Sequence, residues 1–162
     1  MEQLRATLAC AADGMSEEQL HWHPAGKWSA AEVLEHLYLS YTGTIKGFER
    51  VLDAGRPLST KATLGQRVGT LAVLTLNYFP DGRQAPKATV PRGLPVEQVR
   101  IEVKSKIAAM DEILARCEER FRGVKLLDHP ILGPLTAAQW RKFHFLHGRH
   151  HARQIARLRK QS

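Results

Sequence analysis

Apolar residues recur every three or four positions through most of the chain. That spacing marks helices with one buried face. The longest run covers residues 95–122, where Val96, Val99, Val103, Ile107, Met110, Leu114, Cys117 and Phe121 form one stripe. Pro95 sits near the first turn, where it is tolerated, and Gly123 ends the helix. A second long helix is predicted from about Ala30 to Leu52. Its stripe is Val33, Leu37, Tyr41, Thr44, Phe48 and Val51, and Gly55 and Pro57 follow it. Ser29-Ala30-Ala31-Glu32 opens it with the capping-box form, in which serine and glutamate each satisfy an otherwise orphaned N–H.

Shorter elements flank these two. Residues 2–13 predict a first helix through Leu4, Leu8 and Ala11 or Ala12, stopped by Gly14. Ser16 to Leu20 reads as one capped turn, and Thr136 caps a last helix running to about Arg159. Between residues 56 and 93 the pattern breaks. Thr63 to Asn77 fits a helix with Leu64, Val68, Leu71, Val73 and Leu74 as apolar positions. Pro80, Gly82, Pro86, Pro91 and Gly93 exclude regular structure beyond it. A connection this long suits a bundle in which neighbouring helices run parallel. No internal repeat, low-complexity tract or convincing strand pattern is present. The chain therefore reads as all-α, a single helical domain over residues 1–162 with long crossover connections.

Composition narrows this picture little. At 43% hydrophobic and 25% charged residues, the chain is ordinary for a globular protein. No apolar run is long enough to span a membrane, and the N-terminal residues do not resemble a signal peptide, so a cytoplasmic protein is expected. Cys10 and Cys117 lie in apolar helical patterns and read as buried core thiols. The net charge is +8, and the seven lysines and arginines after residue 128 meet no acid before the C-terminus. Arg149, Arg153, Arg157 and Lys160 share one helical face, which reads as a solvated basic face or as a surface for an anionic substrate or nucleic acid. No helix-turn-helix, zinc-finger or aromatic-basic stacking pattern accompanies it, and this disfavours nucleic acid.

The histidines change the picture more. Four of the eight fall between His144 and His151. His147 and His151, four residues apart, project from one face of the last helix, and Ile155 and Leu158 continue that face into the core. Two imidazoles at this spacing suit a divalent metal, although such residues also occur as hydrogen-bonded core histidines. His36 lies on the inner face of the second helix or at its edge, where an imidazole needs a partner. A metal shared with His147 and His151 would supply one. His144 and His150 lie about 60° around the helix from that pair. With His21, His23 and His129 they are expected at the rim or in solvent, His129 being the nearest to reaching a pocket. Trp28 and Trp140 are bundle-end core residues or line a pocket mouth. Glu32 is a cap. Glu35 points about 100° away from His36 and is expected on the surface or behind a ligand. Gln154 orients a ligand or is a satisfied core amide.

Two of these segments resemble a known family. Trp28-Ser29-Ala30-Ala31-Glu32-Val33-Leu34-Glu35-His36-Leu37 is similar to the W-S-x-x-E-h-h-x-H-L segment of the DinB/YfiT superfamily. His147 to Ile155 resembles that family's H-x-x-x-H-x-x-Q-I segment. The lead-in Leu20-His21-Trp22-His23-Pro24 also fits, as does the approach to the last helix from His129-Pro130 through Gly133-Pro134-Leu135-Thr136. The resemblance covers both ends of the chain and reaches the middle only through helix pattern. It implies a four-helix bundle with long crossovers and a metal site at one end. His36, His147 and His151 would hold a nickel, zinc or iron-type divalent ion.

The resemblance further implies a small-molecule substrate, in some relatives a low-molecular-weight thiol, and in many members a homodimer. The expected activity is that of a metal-dependent hydrolase or thiol S-transferase. Two other readings stand beside it: a non-catalytic metal-binding or stress-related domain, and a basic polyanion-binding module.

Overall fold

The structure is a computed structural model that describes residues 1–78 and 84–162. Pro80 and Gly82, expected to break regular structure, lie outside the described residues. Helices dominate: α1 (Glu2–Ala12), α2 (Glu17–His21), α3 (Ala30–Ala54), α4 (Leu64–Leu74), α5 (Val96–Arg120) and α6 (Ala137–Arg159). A single 3-10 turn, Lys87–Thr89, lies in the proline-rich stretch where nothing regular was expected. No described helix is long and apolar enough to cross a membrane.

Local chemistry explains where these helices begin. Ser16, Ser29, Thr63 and Thr136 each accept a hydrogen bond from the backbone N–H three residues on. In each case the side chain of that third residue (Gln19, Glu32, Gln66 and Gln139) returns a bond to the cap. Four helices thus start on complete capping boxes, which satisfy donors that would otherwise be orphaned. Gly55, at φ 63°, provides the left-handed residue that ends α3.

Helices α1, α3, α5 and α6 pack against one another around a common apolar core. The stripes expected on α3 and α5 are buried, from Val33 to Val51 and from Val99 to Cys117. Cross-contacts fix the helix directions. Glu35 meets residues 92–94 just before α5, and Arg120 at its far end donates to the carbonyl of Leu52, so α3 and α5 run parallel. His36 faces His147, Thr44 faces His144 and Phe48 meets Trp140, so α3 and α6 run antiparallel. Arg141 joins α6 to α5 by donating from Nε to an Asp111 carboxylate oxygen at 2.7 Å.

Three local expectations are corrected. A short antiparallel hairpin pairs β1 (Leu127–His129) with β2 (Gly133–Leu135) in a stretch read as loop. It packs on α3 at Gly47, where a Cβ would lie 2.5 Å from Leu127 Cδ2. On α4 only Val73 and Leu74 are buried, whereas Leu64, Val68 and Leu71 are exposed. That helix lies against α6 and β2, with Gln66 beside Gly133, and only Val73 and Leu74 of its apolar positions enter the core. Finally, Cys10 is exposed, because the buried face of α1 is Leu4, Leu8, Ala11 and Ala12, while Cys117 is buried as expected.

Candidate metal centre

His36 stands in the second turn of α3, and His147 and His151 are one turn apart around the middle of α6. The antiparallel crossing of these helices brings the three rings together. Nε2 of His147 lies 3.2 Å from Nε2 of His36 and 3.0 Å from Nε2 of His151. All three nitrogens fall within 4.8 Å of one another. Imidazole nitrogens bound to one divalent ion at about 2.0–2.1 Å would sit roughly 2.9–3.4 Å apart.

The outward nitrogens decide what the inward ones present. Nδ1 of His36 faces the carbonyl oxygen of Thr89 at 2.8 Å, and Nδ1 of His151 faces Oε1 of Gln154 at 2.9 Å. Both partners only accept, so each Nδ1 carries the proton and donates it. In the neutral rings, Nε2 of His36 and Nε2 of His151 then both turn lone pairs toward Nε2 of His147. A proton on His147 Nε2 serves only one of these neighbours, whereas a cation serves all three nitrogens. The donor set therefore fits a divalent ion of borderline softness.

Burial keeps the rings neutral, the form in which imidazole binds metals. It lowers the affinity of His36 for a proton, and the bond to Thr89 offsets this in part. His147 is pushed well below the ordinary histidine range by burial and then by its histidine neighbours. His151 is pushed down to about 3, first by burial and then by His36, with the Gln154 bond opposing. Trp28 packs half-buried against the site, its ring centroid 5.2 Å from that of His36, and the Phe143 ring stacks on His147 at 5.1 Å. Gly148, between the two α6 histidines, lets α6 pack closely on its neighbours. A Cβ there would lie 2.6 Å from Leu4 Cδ1 and 2.8 Å from the Tyr41 hydroxyl.

The remaining histidines separate into two groups. His21 and His23 are exposed, and His150 is half-buried with its ring 5.2 Å from that of His151. His144 corrects the expectation of a rim position. It is 1% exposed, its Nε2 is 2.8 Å from the Thr44 hydroxyl, and its ring stacks on Trp140. His129 is buried as well. Its Nδ1 accepts the N–H groups of Ile131 and Leu132, both at 3.1 Å, which closes the hairpin turn. Burial lowers His129 to about 4. Burial first, then His129 and His36, lowers His144 to about 3.

Of the two places expected for Glu35, the surface is excluded: it is 2% exposed and its carboxylate accepts three backbone N–H groups. Trp140 is buried and donates from Nε1 to the Leu127 carbonyl, while Glu32 is the cap expected of it. Arg149, Arg153 and Arg157 of α6 and Lys160 at its C-cap are exposed, as the helical face predicts.

The chain belongs to the DUF1569 family of proteins of unknown function, whose model matches residues 2–158 and so includes all three clustered histidines. No curated protein and no solved structure matches it.

Proposed function

We propose that this protein is a divalent-metal-dependent enzyme of the DinB/YfiT type, acting as a hydrolase or a thiol S-transferase on a small molecule. One observation carries the reading: the convergence of the His36, His147 and His151 Nε2 atoms, with the Nδ1 atoms of His36 and His151 engaged by acceptors. The parallel and antiparallel packing of α1, α3, α5 and α6, with a long connection between α3 and α5, supports a four-helix bundle with a crossover. A zinc, nickel or iron-type ion is the expected occupant. Three neutral imidazoles leave the ion's charge uncompensated and coordination positions open, which suits activation of a bound water or a thiolate. The chain's own residues bind and orient the ion. Thr89 and Gln154 hold two of the ligands, and Trp28 and Phe143 shield the rings. A cytoplasmic homodimer using a low-molecular-weight thiol is the fuller form of this proposal.

The test is elemental analysis of untagged protein beside His36→Ala and His147→Ala. About one divalent ion per chain, lost in both variants, is the expected result. Failure of wild type to take up nickel, zinc, manganese or iron would reduce the histidines to a core cluster.

The exposed row of Arg149, Arg153, Arg157 and Lys160 favours a second reading, a polyanion-binding module. That reading requires binding to DNA or RNA that weakens steeply with salt. Absence of a shift at low ionic strength would remove it.

A further inference from the structure

Glu35 and His36 are consecutive on α3, and their side chains leave the helix about 100° apart. Both nevertheless take hold of the same stretch of chain. The Glu35 carboxylate accepts from the N–H groups of Arg92 at 2.6 Å, Gly93 at 3.0 Å and Leu94 at 3.1 Å. His36 donates from Nδ1 to the Thr89 carbonyl at 2.8 Å. Thr89 is itself tied back, since its N–H and its hydroxyl both donate to the Pro86 carbonyl. The segment from Pro86 to Leu94 is therefore a strap with two anchors on α3, one a carboxylate and one a candidate metal ligand.

We propose that Glu35 is a positioning residue for the histidine site. By holding residues 92–94 it fixes the Thr89 carbonyl, and that carbonyl fixes the tautomer and ring orientation of His36. This inference rests on the metal-binding reading and adds a coupling to it. An acceptor on Nδ1 makes a ligating histidine more basic and better oriented, and loss of such a partner costs about 10- to 100-fold in metal affinity. The coupling is reciprocal. If strap docking strengthens ion binding, ion binding must strengthen strap docking by the same factor. A buried carboxylate on three backbone donors would serve a purely structural loop equally well. The distinguishing feature is that the second anchor of the same strap is His36, whose other nitrogen enters the three-histidine cluster.

The experiment titrates metal-free full-length protein with zinc, in wild type, Glu35→Gln and Val51→Ala. Val51 is fully buried on the same helix, four turns beyond the site, and serves as a control for general destabilisation. Amide hydrogen exchange of Arg92, Gly93 and Leu94 is followed with and without zinc. The expected result is an affinity several-fold weaker in Glu35→Gln, less than the about 10- to 100-fold that loss of the direct Thr89 acceptor would cost, unchanged affinity in Val51→Ala, and slower exchange of the three amides in zinc-loaded wild type. Wild-type affinity in a folded Glu35→Gln protein would overturn the role of Glu35 while leaving the metal site standing. If Glu35→Gln does not fold, the wild-type exchange decides, and identical rates with and without zinc overturn the proposal. Absence of zinc binding in wild type would instead bring down the metal-binding reading itself.

Discussion

Gln154 Oε1 lies 2.9 Å from Nδ1 of His151, three residues back along the same helix. One turn of α6 thus contains both a candidate ligand and the group that sets its tautomer. The spacing needs no tertiary structure, because residues three apart on a helix are neighbours. Replacing Gln154 by Leu removes the acceptor and leaves the ring free to carry its proton on the inward nitrogen. Metal affinity is expected to fall about 10-fold or more, and the effect on folding to stay within about 1 kcal/mol. Titration calorimetry beside chemical denaturation separates the two. Equal affinity in Gln154→Leu would show that the amide is only a satisfied core group.

Gly148 controls how closely α6 approaches its neighbours. A methyl there meets the side chains of Leu4 and Tyr41, both fully buried, so relief would have to shift packed core groups. Overpacking of this kind costs about 1–3 kcal/mol, while alanine recovers up to about 1 kcal/mol of helix propensity. Gly148→Ala is expected to be destabilised on balance and to bind metal more weakly, because His147 moves with the displaced backbone. A urea midpoint equal to or above that of wild type would contradict this.

The acid response follows from His129 and His144, which burial holds at about 4 and about 3. In the unfolded chain each would titrate near 6.5. Their folded proton affinities are lowered, so the unfolded state binds more protons as pH falls below about 6.5. The stability of the metal-free protein is therefore full above that pH and is lost as pH falls toward 4. Each histidine contributes up to about 1.4 kcal/mol per pH unit in that window. Denaturation at pH 7, 6 and 5 measures the slope, and a flat profile would mean that these rings are not held neutral.

An ion that binds only the folded protein must raise its stability. At a free concentration 100-fold above Kd the gain is about 2.7 kcal/mol. Added zinc is expected to raise Tm, a chelator to return it, and His147→Ala to respond to neither. A thermal shift retained in that variant would place the binding elsewhere.

The exposed apolar positions of α4 give a simpler expectation. Val68 is 62% exposed, so Val68→Lys should change stability by no more than about 0.5 kcal/mol. A larger loss would show that this face is covered in solution.

Much of the fold was legible because it is local. The stripes of α3 and α5, the capping box at Ser29 and the one-turn spacing of His147 and His151 are written within single helices. His36 could be placed only on an inner face or edge, because its partners Thr89 and His147 lie 53 and 111 residues away. Glu35 was left between the surface and a place behind a ligand for the same reason, since the N–H groups that draw it inward belong to residues 57 to 59 positions later. His144 sits off the face that carries the cluster, and its burial comes from Thr44 and Trp140 closing over that edge of α6. The hairpin strands have three residues each, too short for an alternation to show, and one contains a proline. On α4 the apolar spacing foretold a helix correctly but not which of its residues would be covered.

The three candidate ligands are unequal in when they become available. His147 and His151 are juxtaposed as soon as α6 has wound, whereas His36 arrives only when α3 has docked across it. A nascent chain would thus offer a loose two-point chelate before a tight three-point one. Ion affinity at this place should climb in steps as the molecule assembles, so that an added metal would act as a chemical clock for the docking of α3 across α6.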